Sequence, residues 1–175
     1  LIVDNHAASY GGGIYLANSW ARYNVIHNNT IVNCSSGNDG GGGICFGGCT
    51  LDTAYNNIIV GCGGNGIWAA NTWDCFFDYN CLFNNTPENY QGVPIGSGEI
   101  YVDPLFLGGV PFSYALAPTS PCIDAGNPDP LFNDPDGTRN DIGAHLPKNY
   151  TSGDADGNGA VNVSDAVYLL QYIFS

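Results

Sequence analysis

Basic residues are almost absent. Only Arg22, Arg139 and Lys148 carry positive charge, against 16 acidic residues, and the formal net charge over 175 residues is −13. A chain this poor in Lys and Arg has little with which to neutralise a phosphate backbone, so nucleic acid is not expected as a partner, and anionic membrane surfaces are disfavoured for the same reason. Long apolar runs are missing too: none approaches the ~18 residues of a membrane span, so no membrane insertion is expected. The chain starts at Leu1 with no charged-then-apolar leader, and reads as a mature or truncated segment with further repeats upstream. None of the seven cysteines forms a CxxC pair, which argues against a zinc ribbon or a thioredoxin-type site. Charged residues make up only 11% of the chain, while Gly, Asn, Thr and Ser abound, a composition that disfavours helices. The acidic excess suits calcium, which takes oxygen ligands, or serves solubility alone.

Internal repetition dominates the first ninety residues. Gly11-Gly12-Gly13-Ile14-Tyr15 returns as Gly41-Gly42-Gly43-Ile44-Cys45 and, more loosely, as Gly64-Asn65-Gly66-Ile67-Trp68. A second motif, Asn28-Asn29-Thr30-Ile31-Val32-Asn33-Cys34, returns as Asn56-Asn57-Ile58-Ile59-Val60-Gly61-Cys62 and as Tyr79-Asn80-Cys81-Leu82-Phe83-Asn84-Asn85. The period is 30 residues from Gly11 to Gly41 and 23 from Gly41 to Gly64. Each period holds short β-branched runs cut by Gly and Asn. One such unit cannot bury its apolar side alone, whereas stacked copies share a continuous core. The expected fold is all-β: a right-handed parallel β-helix, with Ile14, Ile44 and Ile67 in one inward column and Ile31, Ile59 and Leu82 in another. Asn29, Asn57 and Asn80 are expected to form a ladder of stacked amides. Cys34 and Cys62 fall on adjacent coils about 4.8 Å apart, as a disulfide or as two stacked thiols.

After Asn85 the periodicity stops, and a Pro-, Gly- and Asp-rich stretch follows, suited to capping a solenoid end. It contains Asp103-Pro104-Leu105-Phe106, then Ser120-Pro121-Cys122-Ile123-Asp124-Ala125-Gly126, then Asp136-Gly137-Thr138-Arg139-Asn140-Asp141-Ile142-Gly143-Ala144. These three motifs, in this order, resemble the C-terminal segment of the bacterial β-helix proteins called choice-of-anchor Q. Cys122 stands where that group usually has Ala, and His145 where Tyr is common. In that group the segment precedes a surface-attachment element, which varies.

The attachment element here is residues 153–175. A twelve-residue calcium loop offers oxygens at positions 1, 3, 5, 7, 9 and 12, with Gly at 6. Asp154, Asp156, Asn158, the Ala160 carbonyl, Asn162 and Asp165 fill those places, and Gly159 sits at the sixth. Asp rather than Glu at the last position, with an apolar helix behind it, resembles a type I dockerin repeat. That resemblance implies bound Ca²⁺ and a cohesin-type scaffold as partner, or a neighbouring subunit, met through Val163 and Ser164. A dockerin normally has two such repeats. The organisation is therefore residues 1–90 as β-helix coils, 91–147 as the cap segment, and 148–175 as linker and dockerin repeat, an EF-hand-like loop plus helix.

Catalytic residues are scarce. A glycosidase needs two carboxylates about 5–10 Å apart, and only Asp52 and Asp74 on adjacent coils offer a pair, with the alternative that Asp at turns serves local hydrogen bonds. No basic residue stands beside an acidic cluster to serve a lyase. If the column of Ile14, Ile44 and Ile67 points inward, Tyr15, Cys45 and Trp68 point outward. Together with Trp20 and Trp73 in the turns, these aromatics form a candidate sugar platform, or else pack beneath a loop. The leading expectation is a secreted, extracellular or cell-surface bacterial module, carbohydrate-associated and attached through the calcium loop in a polysaccharide-degrading setting. Two alternatives are the tail of a polysaccharide lyase or glycoside hydrolase with its active coils upstream, and a self-assembling surface protein.

Overall fold

The computed structural model describes residues 1–17, 22–37, 40–92, 94–108, 114–144 and Val163. The chain divides into two units, residues 1–144 and 145–175. The first unit is built almost wholly from very short strands: β1 (Ile2–Val3), β2 (His6–Ala7), β3 (Ile14–Ala17), β4 (Val25–His27), β5 (Thr30–Val32) and β6 (Ser35–Ser36). They continue as β7 (Ile44–Gly47), β8 (Thr53–Tyr55), β9 (Ile58–Val60), β10 (Ile67–Ala70), β11 (Phe76–Asp78), β12 (Cys81–Phe83) and β13 (Tyr90–Gln91). A 3-10 turn, Pro130–Phe132, is capped by the Asp129 carboxylate, which accepts from Leu131 N at 3.0 Å.

All pairing among these strands is parallel, and each strand pairs with the equivalent strand one period away. The orders are β1-β5-β9-β12, β13-β10-β7-β3, β11-β8-β4 and β2-β6. The registers match the motif alignment residue for residue: Ile31 pairs with Ile59 and Ile59 with Leu82, while Ile14 pairs with Ile44 and Ile44 with Ile67. Ile31, Ile59, Leu82, Ile44 and Ile67 are all fully buried. Each buried Ile or Leu contributes about 1.5–3 kcal/mol by leaving water. Between these columns, Phe46 meets Phe77 edge-on with centroids 4.9 Å apart.

Left-handed backbone makes the corners. Asp4, Asn33, Gly61 and Asn84 share one corner with φ of 54°, 53°, 66° and 55°. Asn28, Asn56 and Tyr79 share a second, at 51°, 55° and 55°. Asn, Asp and Gly tolerate this region where larger residues suffer strain, which explains their abundance between the strands. Gly43 answers a different demand: a Cβ there would run into the Gly66 carbonyl oxygen and Ile59 Cγ2 of the neighbouring passes.

The asparagine ladder is present. Asn29 donates both its backbone N–H and its Nδ2 to Asn57 Oδ1, each at 3.1 Å, and Asn57 does the same to Asn80 Oδ1 at 3.0 Å. Asn57 and Asn80 are fully buried. The ladder ends on a residue outside the repeat: Asn80 N and Nδ2 each donate to a Glu99 carboxylate oxygen at 3.1 Å. Burial pushes Glu99 up to about 7, against the opposing effect of hydrogen bonds from Tyr90 and Asn80.

The stretch after the repeats does two jobs. Ile100 adds beyond β12, donating to Asn80 O and accepting from Leu82 N, both at 2.9 Å, and so covers the strand edge there. Residues 122–144 instead lie along the outer face of the β1-β5-β9-β12 sheet rather than over its end. Ile142 and Cys122 pack on Ile58 and Cys81, and Ala144 N donates to Thr30 Oγ1 at 2.9 Å. The three spaced motifs interlock in this segment. Ser120 Oγ donates to Pro104 O, Cys122 N to Ser120 Oγ, Asp124 N to Asp141 Oδ1, Ile142 N to Cys122 O, and Arg139 to the carbonyls of Gly126 and Ala125. Their polar residues therefore hold the stretch in its own shape.

All seven cysteines carry free thiols. Cys34 and Cys62, of the two arrangements expected, are stacked buried thiols: each precedes a residue of the Ser35–Gly63 bridge and donates to the carbonyl two residues before it, Val32 O and Val60 O.

Candidate functional site

The outer face of the β13-β10-β7-β3 sheet carries the aromatic residues. Along β3, Ile14 and Leu16 pack against the core, which turns Tyr15 and Ala17 outward. The pairing places Tyr15, Cys45, Trp68 and Gln91 in one outward row. Tyr10, one residue before the first Gly run, reaches this row through its parallel bridge to Gly40. Its ring lies over Gly40, where a Cβ would overlap it. From there it stacks on Trp68, with centroids 5.7 Å apart and planes at 25°, and tilts against Tyr15 at 5.9 Å and 32°. Tyr15 leans across Gly47, and its ring would stand 3.4 Å from a Cβ there.

The result is an aromatic ledge, partly open to solvent. Tyr10 is 39% exposed and Tyr15 48%, Trp68 is half-buried, and Cys45 lies wholly covered in the same row. Ala17, Gly47 and Ala70 stand in the adjoining outward row and present almost no side chain. Such a ledge can receive a flat, partly apolar face, and each aromatic contact of this kind is worth about 0.5–1.5 kcal/mol beyond area burial. It is not a nucleophilic site. Burial, then Cys49, pushes the Cys45 thiol up to about 12, and burial, then the adjoining Asp52 carboxylate, raises Cys49 to about 12. Neither is a thiolate at neutral pH.

Of the four aromatics singled out in the sequence, two are brought together. Tyr15 and Trp68 meet through Tyr10, whose place beside a glycine run was the only sequence signal for it. Trp73 stands apart, bridged to Thr50 and 59% exposed. Trp20 lies outside the described residues.

The two carboxylates singled out for glycosidase chemistry sit in different surroundings. Asp52 is fully buried, and its Oδ1 accepts from Asn24 N at 2.8 Å and Asn24 Nδ2 at 3.1 Å. Asp74 is exposed and holds a left-handed corner, φ 53°, in line with Leu51 at 60° and Tyr23 at 62°. One carboxylate organises a turn inside the stack and the other sits in a corner outside it. Neighbouring Asp78 is also structural, accepting from Tyr79 N and Gly98 N at 2.9 and 2.7 Å. His27 stacks on Tyr55 at 5.2 Å, and His6 Nδ1 shares a hydrogen bond with Ser35 Oγ at 2.9 Å.

The calcium-loop residues Asp154, Asp156, Asn158, Ala160, Asn162 and Asp165 lie outside the described residues, as does Ser164. Val163 is described and is 77% exposed. Among the described residues, no group of three or more His, Cys, Asp or Glu side chains could hold a metal ion, and no helix is long and apolar enough to cross a membrane. Compared with family models, curated proteins and solved structures, the chain matches none.

Proposed function

We propose that residues 1–144 are the C-terminal portion of a secreted right-handed parallel β-helix that binds polysaccharide on its outer aromatic face, and that residues 153–175 attach it to a scaffold through a calcium-binding dockerin repeat. Parallel strands one period apart, arranged in four sheets, support the solenoid. The right-handed sense follows from the general preference of parallel crossovers, about 98% of which are right-handed.

The observation that carries the binding reading is the ledge of Tyr10, Tyr15 and Trp68, gathered on one outward face and partly open to solvent. Large exposed aromatics on an otherwise small-residue face are what a sugar ring can stack on. The net charge of −13 repels polyuronates, so the ligand class is a neutral polysaccharide. Asp52, one of the two carboxylates considered for hydrolysis, is buried and bonded to Asn24, which favours binding over hydrolysis for this part of the chain. The attachment reading rests on the loop sequence: six ligand positions and the turn glycine agree with the spacing of a calcium loop. A cohesin-type module is the partner that the dockerin resemblance implies, and a polysaccharide-degrading assembly at the bacterial cell surface is its setting.

Affinity electrophoresis through gels containing neutral glucans, xylans or mannans, with polygalacturonate as the charged control, tests the binding face. Retardation by a neutral polymer is expected, weakened about tenfold by Tyr15→Ala with Trp68→Ala and unchanged by Trp73→Ala. No retardation by any neutral polymer, or retardation untouched by the double variant, sinks the reading. Calorimetric titration with Ca²⁺ tests the attachment loop separately: one site is expected, lost in Asp154→Ala with Asp165→Ala.

A further inference from the structure

We infer that Cys81 and Cys122 join as a disulfide under oxidising conditions, a covalent staple that fastens the C-terminal segment to the outer face of the β1-β5-β9-β12 sheet. The pairing puts Thr30, Ile58 and Cys81 in one outward column of that sheet. The C-terminal segment covers this column position by position. Ala144 N is bonded to Thr30 Oγ1 at 2.9 Å, and Ile142 packs against Ile58. The third position, Cys81, shares its buried apolar cluster with Cys122.

The geometry confines both sulfurs. Cys81 and Cys122 are fully buried and belong to one small apolar cluster with Ile58 and Ile142. Cys122 is pinned on both sides, its N donating to Ser120 Oγ at 3.1 Å and its O accepting from Ile142 N at 2.9 Å. Cys81 Sγ points away from its own strand, donating to Val102 O at 3.4 Å. The Cys122 thiol is its hydrogen-bonding neighbour, and this contact, together with burial, raises the Cys81 pKa. Cys34 and Cys62 also adjoin each other, but Cys34 Sγ donates to Val32 O and Ile2 O and Cys62 Sγ to Val60 O.

The reaction is ordinary thiol–disulfide exchange. The two thiols give up two electrons and two protons to an external disulfide of the glutathione class, one Sγ–Sγ bond forms, and two small thiols are released. Two thiols buried away from solvent exchange slowly in the folded chain. The bond therefore closes as the segment docks, and is shielded afterwards. It spans 41 residues, from Cys81 to Cys122, so it restricts the unfolded chain and raises Tm by on the order of 10 °C.

The test is oxidative refolding of the full chain in a glutathione redox buffer, followed by alkylation in denaturant and non-reducing peptide mass mapping. The expected result is a Cys81–Cys122 cross-linked peptide, with Cys34 and Cys62 alkylated, and a Tm that falls on the order of 10 °C when the denatured chain is reduced and refolded without oxidant. Cys34→Ser leaves the cross-link in place, whereas Cys81→Ser or Cys122→Ala removes it. Recovery of both Cys81 and Cys122 as alkylated thiols from the folded, oxidised parent chain overturns the inference, and so does either one linked to a different cysteine. Because the map is made on the parent chain, a variant that fails to fold does not affect the outcome.

Discussion

Glu99→Gln is predicted to stabilise the protein at alkaline pH and to erase part of its pH dependence. Glu99 takes the place of a fourth asparagine in the ladder, accepting from Asn80 N and Asn80 Nδ2. Unlike an amide, it must carry charge in a partly buried place, and burial moves its pKa from 4.5 to about 7, with Asp78 adding to the rise. At low pH both folded and unfolded chains hold the proton, and nothing is lost. Between 4.5 and about 7 the unfolded chain releases the proton while the folded chain retains it, so stability falls as pH rises. Above about 7 both states are ionised and the loss levels off. At about 1.4 kcal/mol per pH unit, the interval amounts to about 3 kcal/mol, reduced to about 2 kcal/mol by solvent at the residue's open edge.

The glutamine variant keeps an acceptor where the ladder needs one. Asn57 Oδ1 alone takes both Asn29 N and Asn29 Nδ2, so one amide oxygen in place of the Glu99 carboxylate suffices for Asn80 N and Asn80 Nδ2. Urea midpoints measured from pH 4 to 9 at fixed ionic strength decide the matter. The expected result is equal stability of parent and E99Q near pH 4, divergence through the interval, and an advantage of about 2 kcal/mol for E99Q at pH 8. Parallel curves, or a variant less stable than the parent at pH 8, would refute the argument that the last step of the ladder bears a desolvated charge.

Three further outcomes are expected. Asn57→Ala removes two acceptor and three donor contacts from a fully buried site; urea unfolding is expected to show a loss of about 3–5 kcal/mol, and a loss under about 1 kcal/mol would remove the ladder from the account of stability. Gly43→Ala drives a methyl group into Gly66 O and is expected to cost about 3 kcal/mol or more, while Gly47→Ala, with only Tyr15 and Leu16 atoms nearby, costs under about 1 kcal/mol; paired thermal melts compare the two. Arg139→Ala forfeits hydrogen bonds to Gly126 O at 2.6 Å and Ala125 O at 3.0 Å and the contact with the Tyr79 ring, so limited proteolysis is expected to cut within residues 122–144 sooner than in the parent chain.

What could be read in the sequence was whatever repeated. Ile31, Ile59 and Leu82 align because each pass of the chain must present the same side chain to the same neighbour, and a shift by one residue would turn every one of them outward. The same holds for Asn29, Asn57 and Asn80, where each amide needs an acceptor on the next pass. Residues that close a series leave no such trace. Glu99 occurs once and carries a different side chain from the asparagines it follows, so alignment could not find it. Tyr10 is likewise alone, since no aromatic directly precedes Gly41 or Gly64. The C-terminal segment shows a third limit. Its motifs suggested a plug for the end of the stack, but a plug needs to match only the last pass, whereas Ile142, Gly143 and Ala144 meet Ile58 and Thr30 on two earlier ones. Those contacts depend on the outward column of Thr30, Ile58 and Cys81, which shares no residue type and so shows no periodicity. The outward column varies because each of its members fits a different part of one non-repeating partner, and this is also why the two cysteines that meet there, Cys81 and Cys122, cannot be paired by counting along the chain.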